Sequence, residues 1–143
     1  PDMVFDIDFV CDQGIHLMSD GFRKVYSLII TFMWMMTMFL SRDYFRHHHK
    51  LSRYFFFNLM TEAATLGVFL SKDLFSCFVF FEVMSFTSFP WVIQEETDGA
   101  IRAAKTYLAV AVIGGLTALM GLFLIQYSLG TLELSKLYDL AMS

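Results

Sequence analysis

Charge is scarce in this chain. Only 17% of its 143 residues are Asp, Glu, Lys or Arg, against roughly 25% in an average soluble domain. A soluble helix carries a charged face opposite its apolar stripe, and no stretch of this sequence supplies one. Cysteine is also sparse: Cys11 lies in the polar N-terminal segment and Cys77 in an apolar run. Two cysteines so placed imply no disulfide framework. Residues 1–21 show neither the basic start nor the unbroken apolar core of a signal peptide. There is no tandem repeat, Walker loop, dinucleotide-binding glycine pattern, Ser/His/Asp set or zinc signature. These absences leave no basis for a single-chain enzyme, a cofactor or a nucleic-acid partner.

Apolar residues are abundant instead, at 57% of the chain. They gather in four blocks, at residues 22–40, 54–70, 74–93 and 101–129. About 17–25 helical residues cross a hydrocarbon core. The blocks are therefore read as an all-α, polytopic transmembrane bundle of four membrane-spanning helices filling residues 22–130. Residues 1–21 form an extramembrane segment, and 131–143 an interfacial tail in which Leu132, Leu134, Leu137 and Leu140 interleave with Glu133, Lys136 and Asp139. The run MVFDIDFV at residues 3–10 alternates apolar and acidic, as a strand does. Gln13-Gly14 can turn it into a second strand at 15–18, giving a small hairpin. Ser19 or Asp20 is placed to cap the first helix, and Ser71 or Asp73 the third.

The net charge of −4 is unevenly distributed. Asp2, Asp6, Asp8, Asp12 and Asp20 crowd the N-terminal segment, whereas Arg42, Arg46, Lys50 and Arg53 sit between the first two helices. Lys and Arg mark cytoplasmic loops. Residues 41–53 and 94–99 are therefore expected inside, and the N-terminus outside, in a bacterial inner membrane. Arg102 and Lys105 agree with this; Arg23, Lys24, Lys72 and Lys136 do not.

Two carboxylates, Glu62 and Glu82, fall at the middle of apolar blocks. Charge at that depth costs several kcal/mol, and such residues usually line an ion-conducting interior. Asn58, Glu62 and Thr65 share one side of their helix at i, i+4 and i+7, forming a polar seam. Either an interhelical hydrogen bond or a transport role accounts for that seam. Ser85 and Ser88 follow Glu82 at i+3 and i+6, where hydroxyls can hold water and relay protons. A permanently protonated packing residue is the alternative reading. Pro90 removes a backbone hydrogen bond and is expected to kink the inner end. Lys105 can snorkel to the inner surface. Glu82 should lie roughly 15 Å deeper, which leaves functional coupling rather than a direct salt bridge. His47, His48 and His49 point in different directions on a helix and lack a completing ligand set, so no metal site is expected. Ala111/Gly115 and Gly114/Ala118 are small-xxx-small pairs suited to close helix packing.

Four pieces carry a family likeness: Asp20-Gly21; SKDLFSCFVFFEVMSFTS at 71–88; AIRAAKTYL at 100–108; and Gly121 followed by Tyr127, Gly130 and Thr131. Over residues 20–131 the chain resembles the antiporter-like membrane subunits of respiratory complex I, Mrp-type cation/proton antiporters and membrane-bound hydrogenases. The resemblance implies that Glu82 is the proton-channel glutamate and that Lys105 matches a lysine at the start of the sixth helix. It implies that the four blocks are the third to sixth of about fourteen helices, built from inverted repeats with a broken helix and a buried lysine. Glu62 is not general to that family, and Phe22-Arg23 departs from its usual small or apolar residues. The chain begins with Pro and ends before the broken helix, so it is read as a fragment. The expected function is that of a proton-translocating or sodium/proton antiporting subunit of a redox-linked or Mrp-type complex. At most it is part of an NADH:quinone oxidoreductase or hydrogenase. Its partners are then the lipid bilayer, other membrane subunits, and protons or sodium ions. The alternative is a non-transporting scaffold whose glutamates make interhelical hydrogen bonds.

Overall fold

The computed structural model describes residues 3–7, 14–44, 51–93 and 96–142. Strands β1 (Met3–Ile7) and β2 (Ile15–Ser19) pair antiparallel, with Phe5 opposite Leu17 and Asp6 opposite His16. The expected hairpin is therefore present. Gly14 leads into β2 at φ +74, and a Cβ there would meet the Ile7 carbonyl at 3.0 Å. Only glycine takes that conformation without strain.

Among the described residues five helices follow: α1 (Gly21–Tyr44), α2 (Leu51–Leu70), α3 (Leu74–Val92), α4 (Asp98–Leu129) and α5 (Leu134–Met142). Local chemistry sets their ends. Asp20 accepts the Arg23 amide at 2.8 Å and so caps α1. Asp73 caps α3, accepting the Ser76 amide at 3.3 Å and the Ser76 hydroxyl at 2.6 Å. Ser71 instead donates to the Gly67 carbonyl at 2.7 Å. Thr97 caps α4, and Gly130 ends it in the left-handed conformation at φ 71.

Among the described residues, three helices are long and apolar enough to cross a membrane: α1 over Gly21–Asp43, α3 and α4. This corrects the expectation of four spanning helices. The exception is α2, whose 20 residues include Ser52, Arg53, Asn58, Thr61, Glu62 and Thr65. Length alone suggested a span, but the polar seam lowers its apolar character. That seam is used for packing, since Asn58, Thr61, Ala64 and Gly67 are the buried positions of α2. α3 presses closely on this small-residue face, and a Cβ on Gly67 would strike the Phe80 ring. The remaining surface is strongly apolar. On α4, Val110, Ile113, Leu116, Met120, Phe123 and Leu124 are all exposed. Apolar surface on that scale marks contact with lipid or other protein. The chain is an integral membrane protein.

The two ends of the bundle differ. At one end residues 71–73 lie between the hairpin and the segment after α4. Leu17 bridges to Ser71, and Asp73 to Glu133. The Lys72 amide donates to the His16 carbonyl at 2.8 Å, and the Leu74 amide to the Leu132 carbonyl at 2.9 Å. Leu132 joins Phe75 and Leu122 in a small apolar core beneath. Glu133 receives Lys136 at 2.7 Å and Lys72 at 3.4 Å. The Lys136 hydrogen bond, helped by Ser135 and Lys72, lowers the Glu133 carboxyl to about 2. At the other end, Arg53 on α2 pairs with Glu96 before α4 at 3.0 Å. There Trp91 of α3 lies 6.2 Å from Trp34 of α1 and 6.3 Å from Tyr54 of α2, ring to ring.

Candidate functional site

Glu82 lies in the middle of α3, half-buried, on the side that faces α4. Its carboxyl rests against the α4 backbone at Gly115. A Cβ added to Gly115 would stand 2.5 Å from Oε1 and 2.8 Å from Oε2. The carboxyl thus occupies room that any other residue would fill. The surrounding cleft, about 160 Å³, is walled by Phe78, Phe86, Val112, Leu116 and Leu119. Among the described residues Glu82 has no hydrogen-bond or ion-pair partner. An apolar wall offers a carboxylate no counter-charge, so a proton or cation is what can neutralise it.

Ser85 and Ser88 do not bond to Glu82. Ser88 donates to the Ser85 carbonyl at 2.9 Å and meets the Tyr107 hydroxyl of α4 at 2.6 Å. Tyr107 also reaches the Ser85 carbonyl at 3.3 Å. These groups tie α3 to α4 on the side of Glu82 toward the 93–97 end. Tyr107 was missed in the sequence, although it stands inside the run AIRAAKTYL. Nothing in that run announces which α3 residue its hydroxyl meets. Lys105, two residues earlier, is exposed. Ten residues separate it from Gly115, about 15 Å along the helix, so it does not contact Glu82.

Glu62 belongs to a different interface. It lines a cavity of about 440 Å³ between α1 and α2 with Thr31, Met35, Phe39, Arg42 and Leu59. Arg42 shares the cavity, but no ion pair forms between the two. Glu62 therefore faces α1 and Glu82 faces α4, and the structure does not bring them together. Asn58 is 1% exposed, and its amide nitrogen has no hydrogen-bond partner among the described residues. Thr65 donates within its own helix, to the Thr61 carbonyl at 2.7 Å. The seam residue that reaches across is Thr61, whose hydroxyl meets Thr87 of α3 at 2.9 Å. It was legible as a seam member, being three residues after Asn58 and four before Thr65. Cys77 is a free thiol, whereas Cys11 and His47–His49 lie outside the described residues.

No family model matches the chain. Over 126 residues, 87% of its length, it is 29% identical to the "Putative antiporter subunit mnhD2" of Staphylococcus aureus strain JH9. The proteins of that name in strains Newman and USA300 match equally. The chain is distantly similar to membrane antiporter subunits. It spans 25% of the length of these curated relatives. Taken with three helices fit to cross a membrane among the described residues, the similarity supports an integral-membrane location for this chain.

Proposed function

We propose that this chain is part of a proton-translocating or sodium/proton antiporting subunit, of a redox-linked or Mrp-type complex, with Glu82 as the carboxyl that loads and releases the ion. The observation that carries the reading is the Glu82 carboxyl itself: mid-helix, without a partner among the described residues, and set in an apolar cleft against Gly115. A permanent structural role would call for a fixed hydrogen-bond partner, as Thr61 has in Thr87. A carboxyl without one is free to exchange a proton. The similarity to antiporter subunits lends the same direction.

In this reading Lys105 adjusts access from the 93–97 end, and Ser85 and Ser88 hold α3 against α4 beside the carboxyl. Glu62, with Asn58 and Thr65 on the same helix, is a secondary polar station facing the α1–α2 cavity. The basic loop 41–53 and the loop 94–99 lie at the cytoplasmic end, with the acidic N-terminus outside, in a bacterial inner membrane; α2, too polar to span by itself, runs between the two ends sheltered against α1 and α3. Pairing of Arg53 with Glu96 supports grouping those two loops at one end. The correspondence with the family's third to sixth helices completes the proposal.

The test is Glu82→Gln in the protein as it occurs in its native membrane. The amide keeps the shape and cannot carry a proton. Ion transport in membrane vesicles is expected to fall about a hundredfold or more, the scale at which a lost proton-transfer group is felt. Normal transport with weakened assembly would instead favour the scaffold.

A further inference from the structure

We infer that Gly115 is a positioning residue for Glu82: its missing side chain is the seat that fixes where the carboxyl sits between α3 and α4. The inference rests on the proton-carrying role proposed for Glu82 and adds the element of α4 that sets its geometry. α4 offers four glycines, Gly99, Gly114, Gly115 and Gly121, and they are not equivalent. A Cβ on Gly114 or Gly121 would meet nothing within 4 Å. Only at Gly115 would it collide with the carboxyl, at 2.5 Å from Oε1 and 2.8 Å from both Oε2 and Cδ. Gly115 is also one of three buried residues in this helix. The small-xxx-small spacing, which pairs Gly115 with Ala111 and Gly114 with Ala118, does not distinguish the two glycines. The contact with Glu82 does.

The consequence is specific. The colliding atoms are the far end of a flexible side chain, so a methyl at position 115 displaces the carboxyl more readily than the helix. Ordinary contact begins at 3.4 Å, so Oε1 must move by about 1 Å. The walls available to receive it are Phe78, Phe86, Val112, Leu116 and Leu119, none of which ionises or donates a hydrogen bond from its side chain. The displaced carboxyl would exchange protons from a different position and with different access.

The test uses the full protein in native membrane vesicles, with Gly115→Ala, Gly114→Ala, Glu82→Asp and the Gly115→Ala/Glu82→Asp double variant. Gly115→Ala should lower transport about tenfold or more and shift the pH at half-maximal rate. Gly114→Ala should stay within about twofold of wild type, as neutral substitutions do. Aspartate is one methylene shorter and withdraws the carboxyl from the added methyl. The double variant should therefore transport about threefold or more above Gly115→Ala, a coupling that independent residues lack. If Gly115→Ala does not accumulate in the membrane, Glu82→Asp should restore its abundance, and equal loss in the double variant overturns the inference. A Gly115→Ala protein with the wild-type rate and pH profile also overturns it. When Glu82→Gln abolishes transport but Gly115→Ala is normal, the seat is wrong and the carrier stands. Should Glu82→Gln transport normally, the carrier role itself fails.

Discussion

The bond between Ser88 and Tyr107 makes a quantitative prediction about how α3 is held to α4. Tyr107→Phe removes one hydroxyl and little volume. The Ser88 hydroxyl is not stranded by that change, because the Ser85 carbonyl still accepts it at 2.9 Å. Ser88→Ala, conversely, leaves the Tyr107 hydroxyl a longer contact to the same carbonyl, at 3.3 Å. Neither single variant buries an orphaned donor, which is the costly event. Each should therefore destabilise the bundle by only about 0.6 kcal/mol, and by no more than about 1.7 kcal/mol, the range measured for interhelical bonds in a membrane protein. The double-mutant cycle should return a coupling of about 0.5 kcal/mol or more, since the two side chains touch. Denaturant unfolding of the purified protein in mild detergent, followed by circular dichroism, measures all four corners. Zero coupling would refute the assignment of Ser88 and Tyr107 as the α3–α4 tie. A loss above about 3 kcal/mol in either single variant would refute the claim that the Ser85 carbonyl acts as a fallback acceptor.

Two further predictions concern packing and the polar end of the bundle. Gly67→Ala places a methyl against the Phe80 ring and should cost about 1–3 kcal/mol through overpacking, with part of the loss recovered by Phe80→Leu in the same unfolding assay. Glu133 is held down to about 2 by Lys136 first, then by Ser135 and Lys72. A carboxyl lowered on folding stabilises above its unfolded value and loses that contribution as pH falls through the folded one. The contacts joining 71–73 to 132–134 should hold above about pH 4.5 and loosen progressively toward pH 2. Hydrogen-exchange protection of the Leu134 amide, which donates to the Lys72 carbonyl, should fall across that window once the intrinsic pH dependence of exchange is divided out, and Glu133→Gln should abolish that fall.

Much of this architecture could be read from the residues. The hairpin follows from the alternation of MVFDIDFV, and the start of α3 from Asp73 ahead of an apolar run. The membrane character of α1, α3 and α4 follows from their length and composition. The misreading of α2 has a physical origin. Seventeen apolar-rich residues at 54–70 satisfy a length criterion, yet Asn58, Thr61, Glu62 and Thr65 make a seam whose use depends on what packs against it. Spacing placed Ser85 and Ser88 near Glu82, but spacing says nothing about the neighbouring helix. There Tyr107 recruits one of them, and the carboxyl turns to Gly115 instead. That pairing depends on the rotation and register of α4 against α3, which one helix cannot encode. Likewise Glu62 and Glu82 look equivalent along the chain and face opposite neighbours once α2 and α3 are packed.

The Glu82 carboxyl is proposed to carry the transported ion. Ion flux through membrane vesicles bearing Glu82→Gln, at wild-type protein abundance, tests it most directly. A loss of about a hundredfold or more is expected. Wild-type flux in that variant would contradict it.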